Sequence, residues 1–243
     1  VALTVADGPE EVRKVARKNL AMGADYLKIF VTGGISTANN SLNNSTYSLE
    51  EIKMATREAE MVDKYVAAHA HGGKGIDICI EAGVRSIEHA ALITEEQIDK
   101  IIKSDAWITI TSTILFDDKG VGAKDILNEK IRDKLLYGRE LARENWIKVV
   151  NSGVNFVVGT DSMHGRMSDE IIFLTKLGVS NADAIKVATT KASDACNLDN
   201  VGILEKGRVA DFIVLKGNPL EDINELKNIK HIFKDGNLVE EFI

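Results

Sequence analysis

Hydrophobic positions along this chain follow two patterns, and the alternation of these patterns predicts its strands and helices. Short runs that are apolar almost throughout recur near residues 26, 65, 85, 107 and 155. Each is followed by a longer stretch with apolar residues three or four positions apart, as on one face of a helix. Strands that are apolar throughout are typical of a parallel sheet with helices on both faces.

The joints between helix and strand also repeat. Gly-Ala-Asp at 23–25, Gly-Val-Arg at 83–85 and Gly-Val-Asn at 153–155 each close a helical stretch and open a strand. Repeated units of this kind predict an α/β fold. Polar residues gathered after the strands suit a (β/α)8 barrel, whose active sites lie at that face. Five strands are too few to close such a barrel.

The last part of the chain has a different pattern of turns and apolar residues. From residue 202 onward, turns rich in glycine separate short apolar runs, and Asp235-Gly236 predicts a hairpin turn between two of them. We therefore expect a small antiparallel sheet here. The boundary is placed near Asp199, which divides the chain into residues 1–198 and 199–243.

Composition excludes several classes of protein. A chain of 243 residues with 44% hydrophobic content can bury a sizeable core. A net charge of −7 without a basic run argues against nucleic acid and anionic membranes as partners. The only cysteines, Cys79 and Cys196, are far apart, which disfavours a disulfide framework, favours a reducing cytoplasmic compartment and makes burial the default for both. The chain begins at Val1 rather than Met, so we expect the natural N-terminus, and any signal in it, to lie upstream.

Ionisable side chains gather at the ends of the predicted strands. They are Lys28 in the first strand, His69 and His71 after the second, His89 after the third and Asp161 after the last. Imidazole and carboxylate groups suit Zn²⁺ or a similar divalent ion. A bound metal would lower the pKa of water and produce a hydroxide nucleophile, and Asp161 would take and pass on a proton.

Two of these residues have alternatives that the spacing leaves open. His71 lies two positions after His69, so ligation of a metal and contact with a substrate are equally supported. Lys28 is either paired with a carboxylate inside the sheet or, if burial holds it neutral, converted by CO2 into a carbamate that bridges two metals.

The loops beyond the strands offer weaker candidates. Asp161 could serve only as a helix cap. His164 and Arg166 follow it and are candidates for binding a substrate carboxylate, Arg through a bidentate pair, with a solvated loop equally supported. The polar stretch 36–47 is longer than an ordinary connection, which favours a functional loop or lid.

Several stretches, in order, resemble the amidohydrolase superfamily, in particular its imidazolonepropionase-like and Xaa-Pro dipeptidase-like (prolidase-like) members. They are DYLKIFVTGG, YVAAHAHGGKGI followed by AGVRSIEHA, GVNFVVGTDS, and the tail GILEKGRVADFIVLKGNPLEDI with IFKDGNLV. Together they cover nearly the whole chain. The resemblance implies a (β/α)8 TIM barrel represented by strands four to eight in residues 1–198, and part of a small β-sandwich in 199–243.

The resemblance also implies roles for individual residues. Lys28 would be the carboxylated lysine that bridges two metal ions, His69 and His89 would bind one of them, and Asp161 would bind the other and act as general base. Such enzymes typically use two Zn²⁺ to hydrolyse amide C–N bonds in dipeptides, N-acyl amino acids or cyclic amides. The expected partner is therefore a small-molecule amide, with no nucleic acid or membrane, and a homo-oligomer is left open.

One departure from the family pattern keeps alternatives open. The family's first barrel strand ends in a His-x-His pair, and no such pair precedes Lys28. We expect the sandwich start and strands one to three to lie upstream of Val1. A deaminase or imidazolone-type ring hydrolase with one metal, or an inactive metal-binding fragment, remain alternatives. The state of Lys28 and the metal content per chain discriminate between them.

Overall fold

The computed structural model describes residues 4–121 and 129–241. The chain forms two compact units. The first comprises Val1–Ile110 and Asp118–Asn155, and the second comprises Thr111–Asp117 and Phe156–Ile243.

Helices and strands follow one another as the hydrophobic pattern predicts. In chain order they are α1 (Pro9–Ala21), β1 (Tyr26–Phe30), α2 (Leu49–Glu60), β2 (Tyr65–Gly72), α3 (Gly73–Glu81), β3 (Ser86–Leu92), α4 (Glu95–Ser104), β4 (Trp107–Ile110), α5 (Ser112–Phe116), α6 (Glu129–Asn151), β5 (Asn155–Val158), α7 (Met167–Lys176), α8 (Asn181–Val187), α9 (Thr190–Ala195), β6 (Phe212–Leu215), a 3-10 helix (Ile223–Lys227), β7 (Ile229–Lys234) and β8 (Asn237–Glu241).

Strands β1 to β4 of the first unit run parallel and pair in chain order. Phe30 pairs with His69, His69 pairs with Glu88, and Glu88 pairs with Thr109. These four residues therefore form one row across the sheet. Because the strands run parallel, side chains in or next to this row are brought close together.

Helices pack their apolar faces on this sheet. Burial of a Val, Leu or Ile side chain stabilises the fold by about 1.5–3 kcal/mol, and burial of an Ala side chain by less. The buried set includes Val12, Ala16, Ile52, Ala55, Ala59, Ile98, Ile101, Leu135 and Trp146. The sequence patterns Ser48-x-x-Glu51 and Thr94-x-x-Gln97 predict capping boxes, and both are formed. The three repeated joints are confirmed as well, since their glycines have φ angles of 90°, 76° and 85°, a region that side chains rarely adopt.

The second unit contains the small antiparallel sheet. Strands β6, β7 and β8 pair in that order, and Asp235 and Gly236, with φ of 52° and 77°, make the predicted hairpin turn between the last two. The helical periodicity of the sequence predicts one helix over residues 183–195, but the structure has two there, α8 and α9. Three β-branched residues, Val187, Thr189 and Thr190, lie at the break and have low helix propensity. The boundary near Asp199 stays a prediction.

The cysteines differ in environment. Both are free thiols, Cys79 is buried, and burial raises the pKa of its thiol to about 12. Cys196 is exposed, so its predicted burial is wrong; it follows the last residue of α9, outside the packed face of that helix. In residues 4–121 and 129–241 no helix is long and apolar enough to cross a membrane. The cytoplasmic location stays a prediction.

Candidate active site

Three buried histidines form a cluster within the last four residues of β2 and of β3. The ring centroids of His69 and His71 are 4.8 Å apart, those of His69 and His89 are 4.5 Å apart, and those of His71 and His89 are 5.0 Å apart. No ring is more than 8% exposed. His69 and His89 thus lie side by side on neighbouring strands, as predicted. The prediction that the strands end at these histidines is wrong, because β2 continues to Gly72 and β3 to Leu92. His71 joins the cluster because it lies on the same strand two residues after His69. We call these three residues the histidine cluster.

The backbone at the end of β3 adopts an uncommon conformation. His89 and Ala90 have φ of 78° and 47°, in the left-handed region, where a residue other than glycine costs about 1–3 kcal/mol. Helix α6 supports this segment, because the indole nitrogen of Trp146 donates a hydrogen bond of 2.9 Å to the carbonyl of His89. Asn145 similarly donates from Nδ2 to the carbonyl of Ala91 at 3.0 Å. The helix thus fixes the direction in which His89 leaves the strand.

Replacing Trp146 by Phe should lower the free energy of unfolding by about 1–2 kcal/mol. The phenyl ring keeps most of the packing but leaves the His89 carbonyl without its donor. Chemical denaturation measures the change, and Trp107→Phe, the same exchange at a buried position of β4, is the control for lost ring volume. Equal losses in the two variants would show that the hydrogen bond to His89 contributes nothing.

Burial keeps the histidine cluster neutral. It lowers the pKa of His69 to about 4, with a further lowering by the charge of Lys28, and it lowers the pKa of His71 to about 3. The pKa of His89 also lies well below its usual value, chiefly through burial. At neutral pH each ring therefore carries a proton on only one of its two nitrogens, the form in which histidine binds metal ions.

Lys28 has a carboxylate partner, Glu88, which the sequence analysis did not single out. The lysine Nζ lies 4.0 Å from Oε2 of Glu88, and Ser86 donates from Oγ to the other carboxylate oxygen at 2.6 Å. Glu88 pairs with His69 in the parallel register, so the two residues lie next to each other in one row of the sheet. The ion pair corresponds to the first of the two alternatives for Lys28.

The chemical type of the side chains in the histidine cluster suits a metal ion. Three neutral imidazoles are suitable ligands for Zn²⁺, and Nδ1 of His71 is buried without a hydrogen-bond partner. The rings pack edge to face or stacked, and no group of three or more His, Cys, Asp or Glu side chains within 4–121 and 129–241 has the arrangement of a metal site. The residues are therefore of the right type to bind a metal ion, but their side chains are not arranged around a common point as metal ligands are.

The second unit carries the remaining candidates. Asp161 follows β5 and is exposed, with φ of 51°, and His164 is exposed in the same loop. Arg166 pairs with two carboxylates, those of Asp117 and Asp169, the latter at 2.8 Å. The guanidinium therefore already has anionic partners in the protein. The roles of these residues in binding and catalysis stay predictions.

A buried carboxylate that the sequence reasoning missed lies in the same unit. Glu170 on α7 is fully buried and accepts hydrogen bonds from the backbone N–H of Ser112 and of Thr113, both at 2.7 Å, and from both hydroxyl groups. Burial raises the pKa of Glu170, while these four bonds act in the opposite direction. A glutamate in an amphipathic helix carries no signal of this role. Glu170 ties the first turn of α5, which follows β4, to α7, which follows the Asp161 loop.

Comparison with known proteins decides the family. Residues 1–239 match the family model described as the amidohydrolase family. The chain belongs to that family. An ochratoxinase of Aspergillus niger is 31% identical in an alignment 260 residues long, which covers 97% of this chain and 50% of the relative. The crystal structure of a Xaa-Pro dipeptidase with bound methionine is 33% identical, with a TM-score of 0.90, and the match covers 97% of this chain and 59% of that one.

A further solved structure, a prolidase complexed with N-methylphosphonate-L-proline, is 31% identical with a TM-score of 0.91, covering 98% of this chain and 60% of that one. The chain spans about half the length of the curated relatives it matches. The predicted family and fold class, an amidohydrolase-type (β/α)8 barrel portion with a small C-terminal sheet, are confirmed. Amidohydrolases are generally metal-dependent.

Proposed function

We propose that this protein is a metal-dependent hydrolase that cleaves an amide C–N bond in a small molecule, such as a dipeptide, an N-acyl amino acid or a cyclic amide. One observation carries the proposal: three buried, neutral imidazoles meet on two adjacent strands in a chain of the amidohydrolase family. The similarity to an ochratoxinase and to a Xaa-Pro dipeptidase supports an amide substrate.

The ligands of the proposed site come from three strands, β1, β2 and β3, and from the loop after a fourth, β5. His69 and His89 would hold one ion, Asp161 a second, and Lys28 as a carbamate would bridge them. Zn²⁺ is the ion that imidazole and carboxylate ligands favour. When bound, such ions supply a Lewis acid for the amide carbonyl and acidify a water molecule.

The chain's own residues supply the remaining chemistry. Asp161 would accept the proton of the attacking water and deliver it to the leaving nitrogen, a transfer for which an exposed loop position gives access. His71 would contact the substrate, and His164 and Arg166 would bind its carboxylate. Lys28 as a carbamate would face Glu88, a second anion, whose Oε2 lies 4.0 Å from the lysine Nζ, so we expect that form to persist only with cations beside it.

Metal analysis tests the proposal. The purified full-length protein should hold about two equivalents of Zn²⁺ per chain, and chelation should abolish hydrolysis of a panel of Xaa-Pro dipeptides and N-acyl amino acids, with recovery when Zn²⁺ is returned. His89→Asn should lose about one equivalent, whereas His231→Asn, in β7 of the small sheet, should lose none. Metal content at the level of a metal-free control protein would refute the metal-dependent mechanism.

A ring hydrolase or deaminase with a single metal is the second candidate, favoured by the ion pair between Lys28 and Glu88. An unmodified lysine that stays paired with a carboxylate leaves no bridging ligand for a second ion. Mass analysis of the protein under CO2-rich, non-denaturing conditions separates the two candidates. A CO2 adduct that disappears in Lys28→Met supports the two-metal site, and its absence with one bound equivalent supports the ring hydrolase.

A further inference from the structure

One face of α6 contacts the polar segment that follows β1. Residues 33–47, called here the 33–47 loop, connect the end of β1 to α2. Three residues of α6 at four-residue intervals meet this loop: Lys130, Lys134 and Gly138. Nζ of Lys134 donates to the carbonyl of Thr37 at 2.6 Å and to Oδ1 of Asn40 at 2.7 Å. Because residues four positions apart lie on the same face of a helix, all three contacts come from one stripe.

The contacts on either side of Lys134 are weaker but extend along the same stripe. Nζ of Lys130 donates to Oδ1 of Asn39 at 3.4 Å. At Gly138, a Cβ atom would come within 2.9 Å of the terminal methyl of Ile35, so the absence of a side chain lets the loop approach the helix. Lys134 therefore makes the two shortest of these contacts, at the middle of the stripe.

The loop transmits the position of Lys134 toward the histidine cluster. Asn40, which accepts from Lys134, donates to Oγ1 of Thr37 at 2.8 Å, and Thr37 donates from Oγ1 to the carbonyl of Gly34 at 3.0 Å. The carbonyl of Gly33 lies 3.4 Å from Nε2 of His69. A Cβ added at Gly34 would be 3.7 Å from Cε1 of the same ring. The Gly33–Gly34 backbone is thus the part of the loop that lies on His69.

The partly buried environment of Lys134 makes its ammonium group depend on hydrogen bonds to the protein. The side chain is partly buried, and burial lowers the pKa of its amine, so the ammonium group has given up part of its hydration. An ammonium group in such a position is stable when its donors find acceptors in the protein. The loop supplies a backbone carbonyl and an amide oxygen, and both bonds are charge-assisted, which makes them stronger than neutral ones.

We propose that Lys134 is a positioning residue that latches the 33–47 loop, and with it the Gly33–Gly34 backbone, over His69. The consequence for turnover rests on the proposed hydrolase function, because the loop then borders the space in which a substrate reaches the histidine cluster. The latch itself does not depend on that function. Loss of the latch frees the loop without changing the strands that carry the histidines.

Hydrogen exchange of the full-length protein with Lys134→Met tests the latch. Three amides within or next to the loop report on its closure, those of Gly33, Thr37 and Thr46, which donate to the carbonyls of Ser41, Gly34 and Val31. In the variant their exchange should be about tenfold faster, whereas amides of β2 and β3 should be unchanged. The matched control is Lys148→Met, which removes a lysine from the same helix that pairs with Glu95, away from the loop.

The outcomes separate this inference from the proposed function. Equal exchange of the loop amides in Lys134→Met and Lys148→Met, or faster exchange spread over β2 and β3 as well, would overturn the latch. If the parent protein hydrolyses the amide panel, Lys134→Met should raise KM about tenfold and leave kcat within about threefold, and an unchanged KM would also overturn it. A parent protein without hydrolase activity contradicts the proposed function, while the exchange data still decide the latch.

Discussion

Asp161→Asn is expected to lower kcat by about a thousandfold on any amide that the parent protein hydrolyses. A general base contributes about 10²–10⁴-fold to a rate, and an amide side chain cannot take the proton. The fold should survive the change. Asp161 is exposed with φ of 51°, and Asn is among the residues that tolerate this left-handed region best.

A matched control exists in the same chain. Asp63 is also exposed, with φ of 57°, but it lies in the turn before β2, at the opposite end of a strand from the proposed site. Asp63→Asn should therefore leave kcat unchanged. Steady-state kinetics with thermal unfolding of both variants makes the comparison. An Asp161→Asn protein with kcat within about threefold of the parent would exclude Asp161 as the base.

Glu170→Gln should produce the largest loss of stability, about 2–4 kcal/mol in the free energy of unfolding. The carboxylate accepts four hydrogen bonds from Ser112 and Thr113 in a fully buried position. Glutamine has the same shape but replaces one acceptor oxygen by an NH2 group, which would face donors. A buried donor left without its acceptor costs about 1–3 kcal/mol.

Denaturant titration measures the effect, and Asp199→Asn, an exposed carboxylate in the same unit, is the control for loss of one negative charge. We expect the control to lie within about 0.5 kcal/mol of the parent. If Glu170→Gln is as stable as Asp199→Asn, the hydroxyl groups must have found other partners, and Glu170 would not be needed to join α5 to α7.

The pattern of the chain predicted the part of the site that local geometry controls. Nearly continuous apolar runs and glycine-closed helices located the strands, and because these strands are parallel neighbours, His69 and His89 could be expected side by side. The capping boxes at Ser48 and Thr94 followed in the same way, since a cap involves residues only three positions apart. Such features depend on a few residues that are close in the chain, so they can be predicted from the sequence.

Contacts between distant positions required the tertiary structure. Lys134 reaches Thr37 across 97 positions, Trp146 reaches the carbonyl of His89 across 57, and Glu170 reaches Ser112 across 58. Each of these residues lies in a helix, and the spacing of apolar residues along a helix does not indicate which distant group a particular side chain will contact. Only packing of the helix against a particular loop or strand end decides which donor meets which acceptor.

The histidines show the same division. Their order and spacing on successive strand–helix units were enough to predict a shared site. Their neutrality was not, because the lowered pKa values come mainly from burial by elements far along the chain. Ring orientation, the pairing of Lys28 with Glu88 and the hold of α6 on both the 33–47 loop and the end of β3 likewise depend on how the elements pack. Hydrophobic periodicity specifies which face of an element is buried, and three-dimensional packing alone specifies what that face meets.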